Sequence, residues 1–348
     1  MKRFVERHCG ETASHRQQPG VCRATTDDGM ELPVVDVTNA AFACEATAAE
    51  LEALAETTFR AFDRWARFPV FVQRWMLRRS LTARFSEAAR TSFMSGMATY
   101  IFKLGPANLG PWATGIDRHL SMALSPVCVR LRLRAMARLL ADGLAMPLAT
   151  RGGPLSLLNI AGGTAIDSLN ALILLQKESP HLLAGRRVSV TVLDCDHAGP
   201  HFGERALGAL LAAGGPLHGV DARFEHVPYD WSTPSAGLGP TLAALDRTGV
   251  AACSSEGGLF EYGRDEDVLA NLRVLRECGP ADLTVVGSIL RDGPTATRMW
   301  RNAKIPLWRQ FAMGPFVDLV RSAGWSVTRV VDDNPLYASL VLTRSAGG

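Results

Sequence analysis

Leu155-Ser-Leu-Leu-Asn-Ile-Ala-Gly-Gly-Thr-Ala-Ile-Asp-Ser-Leu-Asn170 decides the fold. The run Leu155 to Ala161 is short and apolar, the length of a buried parallel strand, and Gly162 and Gly163 allow a turn tighter than a Cβ would permit. Beyond the turn, Ile166, Leu169, Leu172 and Ile173 recur at helical spacing. A strand that breaks at a glycine pair and restarts as a helix brings backbone N–H groups to the carboxyl edge of a sheet, where α/β folds hold nucleotide-like groups. Taken alone, a glycine pair after a strand is also what an ordinary strand-to-helix turn requires.

Outward from this junction, strands are expected at Ser156 to Ile160, Val188 to Leu193, Ala222 to Val227, Gly249 to Ser254 and Asp282 to Ser288, with helical segments between them. Alternation of this kind implies parallel pairing in a doubly wound, Rossmann-like α/β sheet. The end of the chain departs from it. A helix from Pro315 closes at Gly324, and two β-rich runs, Ser326 to Asp332 and Tyr337 to Thr343, flank a turn at Asp333-Asn334-Pro335. This terminal hairpin makes the last strand of a seven-stranded sheet antiparallel.

Upstream, residues 46–150 read as an all-α segment. Leu51, Leu54, Ala55, Phe59, Phe62 and Trp65 give a first helix ending at Pro69. Further helices are expected at Val70 to Leu77, at Thr82 to Lys103, and from a Ser125 cap to about Leu144. Residues 1–45 lack a stable period and read as a partly ordered leader, so the organisation is leader, helical cap (46–150) and sheet domain (151–348).

Composition narrows the function. Of 348 residues 47% are hydrophobic, enough for a large core, and 37 basic against 34 acidic side chains leave a net charge of only +3. That gives no electrostatic case for nucleic acid or an anionic membrane as partner, and the cluster Arg130, Arg132, Arg134 and Arg138 reads as one face of a helix. Seven scattered cysteines without a C-x-x-C pair point to reduced thiols and a cytoplasmic setting. The N-terminus lacks the apolar centre of a secretory signal, and no run reaches the ~18 apolar residues that span a bilayer.

With these residues in place, 151–344 resembles the class I S-adenosylmethionine-dependent methyltransferases. Asn159-Ile-Ala-Gly-Gly-Thr-Ala165 stands where that family carries Asp-x-Gly-x-Gly-x-Gly, with Asn159 for the acid and Ala165 for the last glycine. Val190-Thr-Val-Leu-Asp-Cys-Asp196 resembles the second motif, whose acid receives the ribose hydroxyls; Asp194 aligns best and Asp196 is the alternative. Val227-Pro-Tyr-Asp-Trp231 offers Asp230 to the adenine amino group with Trp231 beside the ring. Ser254-Ser-Glu-Gly-Gly-Leu-Phe-Glu-Tyr262 is similar to the Glu-Gly-x-x-x-Tyr pattern of leucine carboxyl methyltransferases, with the tyrosine one residue later.

The resemblance implies S-adenosylmethionine as cofactor, held by Asn159, Ala161, Gly162, Gly163, Asp194, Asp196, Asp230, Trp231, Ser255 and Glu256, and a small-molecule acceptor. Glu256, Tyr262 and Tyr100 are the candidate catalytic groups, with Glu261 and His197 as further proton acceptors. Tyr100, Phe102, Trp112, Phe260 and Tyr262 can surround a sulfonium by cation–π contact.

Other readings stay open. Some proteins of this fold use the cofactor's aminobutyrate chain, cyclising it to azetidine-2-carboxylate, and the altered Asn159 and Ala165 also allow a cofactor-binding protein without activity. A nicotinamide dehydrogenase fits less well, because Gly162-Gly163 departs from Gly-x-Gly-x-x-Gly. No metal is expected: His197 and His201 lie near Asp194 and Asp196, but Gly199-Pro200 between them argues against a regular helix face. No serine sits in a hydrolase elbow. Apolar side chains on the N-terminal helices could pair subunits into a homodimer as readily as cap a pocket.

Overall fold

A computed structural model describes residues 19–88, 94–303 and 313–345. The strands are β1 (Arg23–Thr25), β2 (Glu31–Pro33), β3 (Leu155–Ile160), β4 (Arg187–Asp194), β5 (Asp221–Pro228), β6 (Val250–Ser255), β7 (Thr284–Leu290), β8 (Trp325–Val331) and β9 (Tyr337–Arg344). The last seven form one sheet in the order β5-β4-β3-β6-β7-β9-β8. β5 through β7 pair in parallel, whereas β9 runs antiparallel to both β7 and β8. The expected hairpin is present. Asn334 forms its turn by accepting hydrogen bonds from the Leu336 and Tyr337 backbone N–H groups, and its side chain also donates to Cys128 O.

β3 sends Leu155 and Leu157 into one apolar core and Leu158 and Ile160 into another, so it is covered on both faces and its apolar residues do not alternate. The edge strand β5 does alternate. α7 (Ile166–Glu178) follows β3, α8 (Ala198–Leu211) follows β4, α9 (Pro234–Ala243) follows β5, and α10 (Leu259–Tyr262) and α11 (Asp265–Cys278) lie between β6 and β7. α8 runs through Gly199 and Pro200, contrary to expectation. Proline is tolerated in a first turn, where no intrahelical N–H bond is required, and a Cβ on Gly199 would come within 2.9 Å of Gly163 Cα.

The cap comprises α1 (Ala48–Trp65), α2 (Val70–Leu77), α3 (Leu81–Ala88), α4 (Gly96–Leu104), α5 (Gly115–Ser121) and α6 (Leu124–Thr150). The helix expected over Thr82 to Lys103 is therefore two helices, α3 and α4, and residues 89–93 lie outside the described residues. α6 begins at an Ala123 cap, two residues before the expected Ser125 cap, and continues past Leu144. It does not keep to a separate domain: Leu133, Met136, Leu140 and Leu144 share one core with Leu169, Leu172 and Ile173 of α7 and with Val190 of β4.

Residues 19–45, read from sequence as leader, are packed against that core. β1 and β2 pair, and Leu32, Val34, Val35, Phe42 and Cys44 are buried. His8, Cys9 and the rest of residues 1–18 lie outside the described residues. Among the described residues no helix is long and apolar enough to cross a membrane.

Candidate functional site

Three residues of the β3–α7 junction have left-handed backbones: Ala161 (φ 54°), Gly163 (φ 58°) and Ala165 (φ 49°). Two are alanines, for which this conformation is strained, so the turn is imposed by its surroundings. Ala161 N donates to Leu193 O at the end of β4. Gly163 N donates to Asp194 Oδ2 at 2.9 Å, and Asp196 N donates to Asp194 Oδ1 at 2.9 Å. Asp194 is thus brought to the turn, and burial pushes its carboxyl above the usual range against the pull of those two donors. Asp196 caps Ala198 N through Oδ1 and has a buried Oδ2 with no partner.

The two glycines owe their lack of a side chain to protein neighbours. A Cβ on Gly162 would collide with Asn159 Oδ1, and one on Gly163 would lie 2.5 Å from Gly96 Cα in the cap. Asn159 Nδ2 donates to Asp167 Oδ1 at 2.8 Å and to Ser254 Oγ at 2.9 Å. Asn159 Oδ1, Thr164 Oγ1 and Asp167 Oδ2 are buried and unpartnered. Burial, together with the nearby charge of Glu256, raises the Asp167 carboxyl to about 6.

At the end of β6 the cap closes on the sheet through buried charges. Lys103 Nζ of α4 lies 2.8 Å from Glu256 Oε2, and Arg132 Nε of α6 lies 3.2 Å from Glu256 Oε1. Arg132 Nη1 also reaches Glu261 Oε1 at 2.6 Å, and its guanidinium stacks over the Tyr337 ring at 4.3 Å. Ser288 Oγ donates to Glu261 Oε1. Burial would raise the Glu256 carboxyl, but Lys103 and Arg132 outweigh it and hold the group below its ordinary value, while Glu261 ends above its own.

The sequence-based candidates divide accordingly. Asn159, Ala161, Gly162, Gly163, Asp194 and Asp196 gather around one turn. Ser255 donates to Ile160 O and accepts from Leu259 N, tying β6 to the short helix α10 (Leu259–Tyr262). Asp230 is exposed just past β5, its Oδ1 accepting from Ser232 N, and Trp231 is half-buried beside it. Glu256 is at the edge but committed to two cations.

Tyr100 serves the N-terminal arm. Its buried hydroxyl donates to Pro33 O at 2.6 Å and accepts from Val35 N at 3.1 Å, fastening the N-terminal arm. Asn170 fastens the same arm, through Val35 O and Val37 N. Tyr262 is nearly buried, and desolvation pushes its phenol up. Phe102 and Phe260 belong to the apolar cores and do not surround a site.

Sequence reasoning passed over Lys103, Arg132 and Asp167. Arg130 and Arg132 are buried whereas Arg134 and Arg138 are not, so the four are not one face; residues two apart on a helix point away from each other. That spacing was the signal available. His197, His201 and His226 gather with ring centroids 5.1 to 6.5 Å apart, and His226 Nε2 lies 2.9 Å from Asp194 O. Among the described residues no cluster of His, Cys, Asp and Glu is placed to hold a metal ion.

No family model matches the chain, and no curated protein is similar to it in sequence. Solved structures are similar in shape. A possible exported protein from Bordetella parapertussis superposes with a TM-score of 0.56 at 17% identity, covering 87% of this chain and 98% of that one. Magnesium protoporphyrin IX methyltransferase from Synechocystis, with bound S-adenosylhomocysteine, gives 0.44 at 16% identity over 75% and 100%. Burkholderia thailandensis 1,6-didemethyltoxoflavin-N1-methyltransferase gives 0.37 at 14% over 62% and 78%. The strand order with its antiparallel β9 is the class I methyltransferase fold.

Proposed function

We propose that this chain binds S-adenosylmethionine at the carboxyl edge of β3, β4 and β5 and transfers its methyl group to a small molecule enclosed by the helical cap. The left-handed turn at Ala161, Gly163 and Ala165, clasped to Asp194, carries this reading. Its residues fit the cofactor's chemistry. A carboxylate has about four lone-pair sites, and Asp194 uses two on backbone N–H groups, leaving acceptors for a ribose diol beside the unpartnered Asp196 Oδ2. Asp230 and Trp231 would meet the adenine edge, and the unpartnered Asn159, Thr164 and Asp167 atoms would meet the polar amino-acid end.

Bound there, S-adenosylmethionine would supply an activated methyl group for in-line displacement, chemistry that needs alignment and exclusion of water more than a strong base. Lys103 and Arg132 supply the alignment indirectly, anchoring α4 and α6 on Glu256 so that the cap stays over the turn.

Asp167 favours a second reading. A buried carboxyl raised to about 6, with one oxygen free, could take the proton of the cofactor's amine and so assist cyclisation of the aminobutyrate chain. Titration calorimetry with S-adenosylmethionine, S-adenosylhomocysteine and NAD tests the binding claim; tight NAD binding with neither sulfur compound bound would overturn it. Incubation with S-adenosylmethionine alone separates the two chemistries. An intact cofactor supports methyl transfer to an acceptor, and release of methylthioadenosine supports cyclisation.

A further inference from the structure

The net charge of +3 averages over a sharply uneven chain. Residues 64–86 contain six arginines (Arg64, Arg67, Arg74, Arg78, Arg79 and Arg84) and no acid. The described arginines of this stretch, all but Arg74, are exposed, and none is paired with an acid among the described residues. Among them stand apolar side chains turned to solvent: Phe68 is 50% exposed, Val70 63%, Phe71 74% and Trp75 58%. Phe68, Phe71 and Trp75 are three and four residues apart, one stripe along the Pro69 turn and α2.

The Arg79 guanidinium lies 4.3 Å over the Trp75 ring. Gln73 Nε2 braces the turn from inside by donating to Trp65 O and Phe68 O. None of the described side chains of α2 is buried, and the helix packs only sparsely on the other described elements.

We infer that this edge of the cap is a docking surface for an anionic phospholipid bilayer, with Phe68, Phe71 and Trp75 entering the headgroup region and the arginines on its phosphates. Charge and shape select this occupant. A second copy meeting the patch about a twofold axis would bring the patch's arginines against their own copies, because such an interface pairs a surface with itself. The chain's own residues 1–18, 89–93 and 304–312 each carry more basic than acidic side chains and offer no complement. A side chain as exposed as Phe71 projects outward, which suits a fluid interface better than the flat face of an acidic protein. Burial of a basic and aromatic helix in the interface plane is peripheral attachment, a different matter from spanning.

The test is sedimentation of the full chain with vesicles of phosphatidylcholine alone and of phosphatidylcholine with about one-third phosphatidylserine. Binding to the anionic vesicles alone is expected, weakening as salt is raised. Phe71→Ser together with Trp75→Ser should weaken the partition by more than about ten-fold, since most of the inserted apolar area is lost. Arg78→Gln and Arg79→Gln should each cost about five-fold. All these side chains are exposed, so the unfolding midpoint should stay at the wild-type value, and a fall confined to binding is the supporting result.

Equal binding to neutral vesicles, or undiminished binding by the aromatic variant, overturns the inference. Retention on immobilised polyglutamate without vesicle binding overturns it in favour of an acidic protein. A wild-type dimer that Phe71→Ser with Trp75→Ser turns into a monomer overturns it in favour of a second copy.

Discussion

Gly96, the first residue of α4, lies against Gly163 of the β3–α7 turn so closely that a Cβ on Gly96 would come within 2.6 Å of Gly163 Cα. The cap therefore reaches the β3–α7 turn backbone to backbone. Gly96→Ala should destabilise the protein by about 1–3 kcal/mol, because the obstacle is main chain and cannot rotate away. It should also weaken S-adenosylmethionine binding by displacing the turn. Gly115→Ala, in the first turn of α5 with nothing near its Cβ, is the control and should leave both unchanged. Chemical denaturation and calorimetry on the two variants check this, and equal behaviour of the pair would refute the contact.

The alanines of the turn invert the usual rule for glycine. Ala161 pays a left-handed penalty of about 1–2 kcal/mol. Glycine would remove it while adding about 0.4–1 kcal/mol of unfolded-state freedom. Ala161→Gly should then raise stability by up to about 1 kcal/mol in urea unfolding, and Ala161→Val should lower it. A loss on Ala161→Gly would mean that the methyl group's packing against Gly258 outweighs the strain.

Asp194 and Asp196 separate by partner. Asp194→Ala removes an acceptor of two backbone N–H groups and should weaken cofactor binding by about 1.5–3 kcal/mol. Unchanged affinity in that variant, with a loss in Asp196→Ala, would assign the ribose to Asp196 instead.

The sheet was legible because its strands carry local signals: short, mostly apolar runs such as Leu155 to Ile160 where both faces are covered, alternation in β5 at the edge, and a proline turn before β9. The tight turn after β3 was legible for the same local reason, through Gly162 and Gly163. The rest depends on partners far apart in sequence. Three-residue strands at Arg23 and Glu31 have no period to read, and the arm holds its place through Tyr100 and Asn170, more than 60 residues away. Tyr100 on a glycine- and proline-flanked stretch looked like a pocket aromatic, whereas its hydroxyl was already spoken for. Arg132 looked solvated because its acids, Glu256 and Glu261, lie 124 and 129 residues further along the chain.

Asp167 gives a pH test. Its folded carboxyl titrates near 6, above its unfolded value, so the native state binds the extra proton and this group's contribution falls as pH rises from about 4 to 6. Above that range a constant penalty remains. Asp167→Asn abolishes it and can still accept from Asn159 Nδ2, so the variant should melt higher than wild type at pH 8 and lose that advantage at pH 4. If Asp167 also meets the cofactor's amine, the same variant should bind S-adenosylmethionine more weakly. A melting difference independent of pH would remove Asp167 as the titrating group.

Glu256 is held by Lys103 and Arg132 with its carboxyl below the ordinary range, a poor proton acceptor and a strong clamp. Glu256→Gln leaves buried cations short of a partner and should cost about 3–5 kcal/mol in unfolding free energy. Adding Lys103→Met to that variant removes one stranded charge and should restore part of the loss, a coupling that a double-mutant cycle measures directly. A group acting only as a base in catalysis would behave otherwise: turnover would collapse in Glu256→Gln with the melting point unmoved, and Lys103→Met would restore nothing.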